Sequence, residues 1–292
     1  MSSKPGQDRI AFLDDLRAHE SGIDPKKHDW YVAHLHSPVL RYPDVTRPGR
    51  VLRDRSTGRH RLVPMTIAQY FTALGVYDLF DVRDASCLLR MQYRSINAWG
   101  YVGYQVGEEC LSDIGYYEME TCARDLPSGI ARVKRYHRGG IDPLLWADGR
   151  SEMWIEAEQI IATDVNCWRG RFTGKNSVSS FEDLRQPDAQ EIIIREAAKS
   201  NLRQVIEALA AAGQRLRDFL VTEWTWAGQP VKCSLSGIIA CCHLLGPQAT
   251  ARFLSSPGKM HDELGTELSD YMTRFGHYPT DGIIGPDFMD TA

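Results

Sequence analysis

Apolar residues recur at the three- and four-residue spacing of an amphipathic helix in several parts of the chain. This period, with glycine or proline at the segment ends, predicts helices over residues 8–20, 66–80 with an interruption at Gly75, Pro187 to Gly213, 234–254 with a break at Gly246-Pro247, and about Asp262 to Phe275. A shorter helix is expected to end near Gly115. Alternation with a period of two is rare, and only Gln229–Lys232 and parts of 97–106 suit a small sheet. The pattern therefore predicts a mainly α protein, with a helical core and a small β element.

Two stretches follow neither period. From Asp24 to about Arg61 the chain is rich in Pro, Arg and His, and Pro25, Pro38 and Pro43 interrupt any regular element. Residues 121–150 also have the composition of loops. We expect two long irregular excursions here, and such excursions within a domain are usually functional or mobile.

The composition of the 292-residue chain is that of an ordinary globular protein. Apolar residues make up 43% and charged residues 25%, so a full hydrophobic core can form and long disorder is disfavoured. The formal net charge of −4 indicates no particular partner, but nine Lys or Arg against three Asp stand between Lys26 and Arg61. This basic stretch suits either a polyanion site or a solvated loop. Nucleic-acid binding is disfavoured, because the net charge is negative and no reading helix is recognisable.

Neither a signal peptide nor a membrane span is recognisable in the sequence. We therefore expect a soluble protein made in the cytoplasm, which needs a dedicated export system if it acts elsewhere. The seven Cys show no CxxC pair at zinc-site spacing, and we expect neither a metal centre nor a cofactor. Cys241 and Cys242 lie in an apolar run and are expected in the core. Four others suit disulfides in an oxidising compartment, which the sequence leaves open: Cys110, Cys122, Cys167 and Cys233.

Glu20 is the strongest candidate for an active-site acid. On a helical wheel Leu13 and Leu16 fall about 60° apart, and Glu20 lies between them. A carboxyl group on a core-facing stripe is partly desolvated, and desolvation together with the negative end of a helix raises the pKa of such a group. A proton donor near neutral pH needs a raised pKa. A local ion pair or cap with Arg17 or His19 is the alternative, and spacing alone does not choose between them.

A second candidate is the run from Gly100 to Glu108, GYVGYQVGE. Its glycines let the backbone approach a ligand closely, and the aromatic residues between them offer flat surfaces on which sugar rings stack. Such a loop suits a polysaccharide cleft, although a tight turn packed by its tyrosines fits the pattern equally well. It is not a dinucleotide or phosphate loop, because no strand leads through it into a helix with the required spacing.

Together these segments resemble the ordered signatures of the lysozyme-like, lytic-transglycosylase-related superfamily, and in particular its bacterial and phage branch. The segments that carry the resemblance are Glu20-Ser21-Gly22, Gly100 to Glu108, Trp168 to Gly174 (WRGRFTG), Ala240 to Gly246 (ACCHLLG), and a closing helix with Tyr271, Phe275 and Tyr278. The resemblance covers about residues 8–24 and 92–280. It implies an α+β lysozyme-like fold in a single domain over residues 1–292. Two insertions would interrupt that domain, a basic one of loop and helix at about 25–90 and another at about 119–160.

The resemblance implies cleavage of the β-1,4 glycosidic bonds of peptidoglycan glycan strands by a muramidase or a lytic transglycosylase. Glu20 takes the role of general acid and then base. Lytic transglycosylases need no second carboxylate, because a hydroxyl of the sugar itself attacks and leaves an anhydro product. Tyr271 would orient the intermediate or Glu20. The residues that the resemblance assigns to substrate binding are Tyr101, Tyr104, Gln105, Glu108, His243 and Tyr271.

The resemblance also implies a cellular setting. The protein would be an antibacterial effector or a phage-type hydrolase that reaches the periplasm or the cell wall by a dedicated route such as type VI secretion. Glycan strands would be its substrate, and an immunity or secretion-system protein would be a further partner.

A non-catalytic alternative stays open, since either insertion can reshape or cover the cleft. A binding or adaptor protein would keep the lysozyme-like scaffold and use the basic insertion to bind an anionic ligand, a metal chelate or a protein partner. Its candidate metal ligands are His28, His34, His36 and His60, although their spacing fits no tight motif.

Overall fold

A computed structural model gives the architecture of the protein. It describes residues 11–43, 62–95, 103–118, 130–132, 143–146, 151–155, 160–163, 170–220, 223–226, 229–256, 258–262, 265–285 and 288. The chain forms two compact units. The terminal unit comprises Met1–His19 and Arg195–Ala292, and the middle unit comprises Glu20–Ile194. The assignment of residues 1–292 to one lysozyme-like domain stays a prediction.

The middle unit begins at the end of the first helix, α1 (Ala11–Ser21). Its further helices are α2 (His28–His34), α3 (Ile67–Ala73), α4 (Cys87–Arg94), α5 (Glu108–Asp113), α6 (Phe181–Leu184) and the first turns of α7 (Pro187–Ala211). Short 3₁₀ turns cover Pro25–Lys27, Tyr77–Leu79 and Lys175–Ser177. Helices thus make up most of its regular structure in the described residues, as the apolar period predicts.

One apolar core joins α2, α3 and α4. Phe71, Leu88 and Met91 have no exposed surface, and neither does Ile23, which follows α1. A capping box starts α3: the Thr66 hydroxyl accepts from the Gln69 amide N–H at 3.2 Å, and the Gln69 side-chain oxygen accepts from the Thr66 N–H at 2.8 Å. This cap holds α3 where its buried face meets the core.

The segment from Asp24 to Arg61 differs from its prediction. It contains α2 and the strand β1 (Pro38–Pro43), which pairs antiparallel with β2 (Leu62–Thr66), whereas we expected an irregular excursion. The prolines mark element boundaries instead of a loop: Pro25 opens a 3₁₀ turn, and Pro38 and Pro43 are the two ends of β1. Residues 44–61, with most of the basic side chains, lie outside the described residues.

A four-stranded antiparallel sheet replaces the loops expected over 121–150. Its order is β4-β5-β6-β7, formed by Ile130–Arg132, Pro143–Trp146, Ser151–Ile155 and Ile160–Thr163. Each strand has at most five residues, too short to establish a period of two in the sequence. A further two-residue pair joins β3 (Tyr117–Glu118) to β8 (Arg171–Phe172). The β content is therefore larger than the sequence analysis predicts.

The terminal unit is built around two packed helices, α9 (Leu235–Ser255) and α10 (Leu268–Phe275). Gly246 has φ 77° inside α9 and divides it ahead of Pro247, as predicted. The α8 helix (Leu216–Phe219), the α11 helix (Asp281–Ile284) and a hairpin of β9 (Glu223–Trp226) and β10 (Gln229–Lys232) complete the described part of the unit. The predicted strand at Gln229–Lys232 is confirmed.

The last predicted helix starts later than expected. It begins at Leu268, and ahead of it the Asp262 backbone N–H donates to the Thr266 carbonyl at 3.0 Å while the Asp262 carboxylate accepts from the Thr266 N–H at 2.7 Å. Cys241 and Cys242 are buried, as predicted for core residues. Among the described residues, no helix is long and apolar enough to cross a membrane.

Candidate functional site

Glu20 lies in the last turn of α1 and is half-buried, with exposed His19 before it and buried Ser21 after it. The last carbonyl groups of a helix have no partner within the helix and must find donors elsewhere. Here the backbone carbonyl of Glu20 accepts a hydrogen bond from the side-chain amide of Gln105. The structure thereby brings together two of the residues that the sequence selects.

The carbonyl groups after Glu20 are held in the same way. The Tyr70 hydroxyl of α3 donates to the Ser21 carbonyl at 2.9 Å, and the Gln92 side-chain amide of α4 donates to the Ile23 carbonyl at 2.5 Å. Both donors are buried, with Tyr70 8% exposed and Gln92 0%. Buried hydrogen bonds of this kind hold a backbone in one arrangement, because breaking one leaves a polar group without water.

Tyr31 of α2 supplies the fourth side-chain donor to these backbone carbonyl groups. Its hydroxyl donates to the Gly22 carbonyl at 3.4 Å and accepts from the Asp24 N–H at 3.0 Å. Four successive carbonyl groups are therefore bound by side chains. We call this arrangement the carbonyl clamp: Gln105 to Glu20, Tyr70 to Ser21, Tyr31 to Gly22 and Gln92 to Ile23.

Gly22 is required by the geometry of this turn. Its φ of +65° lies in the left-handed region, which costs a residue with a Cβ atom roughly 1–2 kcal/mol. A Cβ placed on Gly22 would also stand 2.5 Å from the Tyr70 hydroxyl oxygen. The Ser21 hydroxyl accepts from the Ile23 N–H at 3.1 Å and closes the turn locally. Ser21 and Gly22 thus each have a separate structural reason for their identity.

Most of the clamp comes from the segment 25–90 and the helix at its end. Tyr31 and Tyr70 lie within this segment, and α4, which spans its end, supplies Gln92. These helices share the core that contains Ile23. The described part of the segment 25–90 therefore supports the Glu20 turn directly.

The Gly- and Tyr-rich run is described from Gly103 onward, and Tyr101 lies outside the described residues. Tyr104 is 0% exposed, and its hydroxyl donates to the Glu191 Oε1 atom of α7 at 2.5 Å. Because its ring is enclosed, Tyr104 positions the turn and offers no open face for a sugar to stack on. Gln105 has φ +49°, which is uncommon for a residue other than glycine.

Glu108 opens α5 and is buried, with 7% of its surface exposed. Glu109 follows it and is a titratable group that sequence analysis missed. More than a third of the Glu109 surface is accessible, yet desolvation by the surrounding protein and, as the smaller cause, the like charge of Asp113 together raise the pKa of its carboxyl group to about 7. No local pattern distinguishes Glu109 in the sequence, since its surroundings come from the folded chain.

His243 and Tyr271 belong to the terminal unit. His243 is half-buried on α9. Tyr271 of α10 is 4% exposed, and its ring contacts the His19 ring edge to face, with centroids 5.3 Å apart. Its neighbour Phe275 contacts the same His19 ring. Tyr271 therefore packs onto the residue that immediately precedes Glu20 in the chain. Trp168 lies outside the described residues.

Two of the histidines considered as metal ligands have other roles in the described part of the segment 25–90. The His28 Nε2 atom hydrogen-bonds the Asp81 carbonyl at 2.8 Å, and the His34 ring stacks on Trp30 with centroids 4.8 Å apart. His36 is exposed, and His60 is outside the described residues. In the ranges that are described, no group of three or more His, Cys, Asp or Glu side chains is arranged to hold a metal ion.

The described cysteines are free thiols: Cys87, Cys110, Cys233, Cys241 and Cys242. Burial raises the pKa of Cys233 and of Cys242 to about 12, so these thiols are held in the neutral, unreactive form. The question of pairing for Cys122 and Cys167 lies outside the described residues. The thiols described here are therefore structural.

Sequence reasoning also missed the residues that hold the site: Tyr31, Tyr70, Gln92, Tyr93 and Glu191. Tyr31 bonds a carbonyl group nine positions earlier, and the others act through partners at least 49 positions away, so no local motif marks them.

Comparison of the chain with protein-family models, with curated proteins and with solved structures finds no match.

Proposed function

We propose that this protein cleaves the glycan strands of peptidoglycan, as a muramidase or a lytic transglycosylase, with Glu20 as general acid and base. One observation carries the proposal: the amide of Gln105, within the Gly- and Tyr-rich run, donates to the backbone of Glu20. The two segments with the residue types of a saccharide-cleaving site are thus neighbours, although 85 positions separate them in the chain.

The chemistry needs one carboxyl group held at a fixed place. As general acid, Glu20 donates its proton to the glycosidic oxygen, and the bond from that oxygen to the anomeric carbon breaks with both electrons on the oxygen. As general base, the Glu20 carboxylate then takes a proton from the group that attacks the anomeric carbon. Attack by water gives a reducing end, and attack by a hydroxyl of the same sugar gives an anhydro end.

The carbonyl clamp supports this role of Glu20. General acid catalysis requires the donor atom within hydrogen-bond reach of the glycosidic oxygen, and a displacement of about 1 Å can lower a rate by roughly 100-fold. A helix end is ordinarily prone to fraying, but the carbonyl groups of Glu20, Ser21, Gly22 and Ile23 all have side-chain donors. The clamp therefore restricts the direction in which the Glu20 side chain leaves the backbone.

The finer features belong to the same proposal. They are a lysozyme-like fold, substrate contacts by Tyr101, Gln105, Glu108 and His243, and a part for Tyr271 in orienting Glu20 or the intermediate. Tyr104 acts by holding Gln105. Glycan strands are the substrate, so the site of action is the periplasm or cell wall. A dedicated secretion system would deliver the protein there, and an immunity protein would protect the producing cell.

The test is digestion of purified sacculi followed by mass spectrometry of the released fragments. Wild-type protein is expected to release fragments with either reducing or anhydro ends, and the end group identifies the reaction. Glu20→Gln removes the proton donor with little change in shape, and we expect at least a roughly 100-fold loss of product. Glu207→Gln, an exposed position on α7, is the matched control and should retain full activity.

Two results would contradict the proposal. Wild-type protein that releases no fragment from sacculi would remove glycan cleavage as the function. A folded Glu20→Gln variant that retains activity would remove Glu20 from the mechanism. Far-UV circular dichroism and thermal unfolding of each variant establish that it is folded.

A further inference from the structure

Glu191 is a carboxylate near the start of α7 that accepts hydrogen bonds from two tyrosines. The Tyr104 hydroxyl donates to its Oε1 atom at 2.5 Å, and the Tyr93 hydroxyl donates to the same atom at 2.9 Å. Tyr104 is 0% exposed, Tyr93 is 8% exposed and Glu191 itself is half-buried, so both bonds are partly screened from water. Hydrogen bonds to an ionised acceptor are stronger than those between neutral groups, and low dielectric surroundings strengthen them further.

Each of the two tyrosines is adjacent in the chain to a residue of the carbonyl clamp. Tyr104 precedes Gln105, whose amide holds the Glu20 carbonyl. Tyr93 follows Gln92, whose amide holds the Ile23 carbonyl. Glu191 is therefore connected to the two outer carbonyl groups of the clamp. One route runs through Tyr104 and Gln105 to Glu20, and the other runs through Tyr93 and Gln92 to Ile23.

The residue beside Glu191 reinforces the second route. The Gln190 side-chain amide donates to the Tyr93 carbonyl at 2.8 Å and to the Leu184 carbonyl at 3.0 Å. Gln190 is 2% exposed. The first bond ties the end of α4 to the start of α7 and so restricts the distance over which Tyr93 must reach Glu191, and the second ties the start of α7 to the end of α6.

We propose that Glu191 is the positioning residue of the Glu20 turn, acting mainly through Tyr104 and Gln105. Gln105 needs external support because its backbone is in the left-handed region, at φ +49°, where an L residue is strained. The buried anchor at Tyr104 supplies that support one residue away. This inference rests on the proposed function for its catalytic consequence, but its structural part does not depend on activity.

The structural part is tested by NMR on the whole chain. In wild-type protein the side-chain NH₂ protons of Gln105 are expected to show a dispersed signal with slow solvent exchange. Glu191→Leu removes the acceptor of both tyrosines, and we expect the Gln105 signal to move to the position of a free side-chain amide. Glu191→Gln keeps an oxygen acceptor at the same place and should restore the dispersed signal. Glu207→Leu, an exposed position on the same helix, should leave it unchanged.

The catalytic part is tested by kinetics with solubilised glycan fragments. Glu191→Leu is expected to lower kcat by about 100-fold with KM near the wild-type value, because the reacting group is displaced while the rest of the cleft is kept. Glu191→Gln should recover most of kcat. A role confined to stability would instead lower the unfolding temperature and leave kcat per folded molecule unchanged.

Tyr104→Phe is the second variant if Glu191→Leu does not fold. It removes one hydroxyl and no ring, and it should change the Gln105 signal and kcat in the same direction with a smaller amplitude. Tyr77→Phe, at a residue 41% exposed, is its matched control. A folded Glu191→Leu or Tyr104→Phe variant with an unchanged Gln105 signal would overturn the positioning role. Wild-type protein without cleavage activity would overturn the proposed function, and the Gln105 signal would still decide whether Glu191 holds the turn.

Discussion

The side-chain amide of Gln105 donates a hydrogen bond to the backbone carbonyl of Glu20. That carbonyl belongs to the last turn of α1, where no donor is available within the helix. The bond joins the end of a helix to a turn that is remote in sequence, so the two segments cannot move independently. In the proposed reaction this hydrogen bond would position the Glu20 carboxyl group. Substitutions can test that positioning role separately from an effect on overall stability.

Gln105→Asn should lower activity with little change in stability. Asparagine tolerates the left-handed region better than glutamine, but its amide is one methylene too short to reach the Glu20 carbonyl. The gain in backbone preference offsets the loss of a hydrogen bond, each of about 1 kcal/mol. We expect the free energy of unfolding in urea to stay nearly constant, and fragment release from sacculi to fall between about 10- and 100-fold. Full activity in this variant would show that the bond has no positional role.

Gly22→Ala should destabilise the middle unit by more than its backbone strain alone. The alanine Cβ would meet the Tyr70 hydroxyl oxygen at 2.5 Å, in addition to the strain of φ +65°. Gly115→Ala is the matched control, because Gly115 has φ +77° but open space where an alanine methyl group would lie. We expect a loss of about 1–2 kcal/mol at Gly115 and a larger loss at Gly22, measured by urea denaturation. Equal losses would contradict the steric role of Tyr70.

Gln92→Leu should cost about 1–3 kcal/mol of stability. The substitution removes the amide that now donates to the buried Ile23 carbonyl at 2.5 Å and leaves only the Ser21 hydroxyl at 3.5 Å, too long to offset most of the desolvation penalty. Gln248→Leu, at an exposed position on α9, should change stability by no more than about 0.5 kcal/mol. Guanidinium denaturation of both variants gives the comparison, and similar small changes in the two would mean that Ile23 finds another donor.

Thr66→Ala should weaken the start of α3 by about 1 kcal/mol, because the Gln69 N–H loses its hydroxyl acceptor. Thr66→Ser keeps the hydroxyl and should retain most of the stability. Since α3 carries Tyr70, hydrogen exchange of the Ile23 and Asp24 amides should accelerate in Thr66→Ala and not in Thr66→Ser. Unaltered exchange at these amides would show that the cap and the Glu20 turn are independent.

Glu109→Gln should remove a pH dependence of stability between pH 4.5 and 7. The folded-state pKa of Glu109 is about 7 against an ordinary value of 4.5, so the folded protein binds an extra proton within this window. The free energy of unfolding of the wild type therefore falls as pH rises from 4.5 to 7, and the glutamine variant lacks this fall. Its stability relative to wild type should increase across the window and stay constant above it. Urea denaturation at several pH values measures this, with Glu207→Gln as the control, and parallel curves would contradict it.

The long periodic helices could be predicted from the sequence because their signals are local. The apolar spacing and the terminal Pro187 and Gly213 mark α7, and Gly246-Pro247 marks the division of α9. The strand at Gln229–Lys232 is also predicted from its local alternation, but its partner, Glu223–Trp226, is not. The sheet over 130–163 could not be predicted, since its strands are short and derive their stability from their neighbours in the sheet.

The residues of the candidate site also differ in whether a local sequence signal marks them. Glu20 and Gln105 stand out by residue type within compact motifs, so a sequence can nominate them. Tyr104 is assigned to substrate binding from the sequence, because an aromatic residue between glycines suits both a surface for a sugar ring and a buried anchor. Its enclosure in the fold favours the role of a buried anchor. Glu191 has no motif at all. Its importance arises from two tyrosines, 98 and 87 positions away in the chain.

Because most donors of the carbonyl clamp come from residues 25–92, shortening the chain in this region would disrupt the clamp. A shortened chain in which a brief linker replaces residues 25–90 would look closer to a minimal enzyme of the proposed class. Such a chain would lose Tyr31 and Tyr70 outright, and Gln92 would lose the helices against which its own helix packs. The carbonyl groups beside Glu20 would then bind water instead, and if the proposed function holds, the shortened protein would be a poorer catalyst than the 292-residue chain.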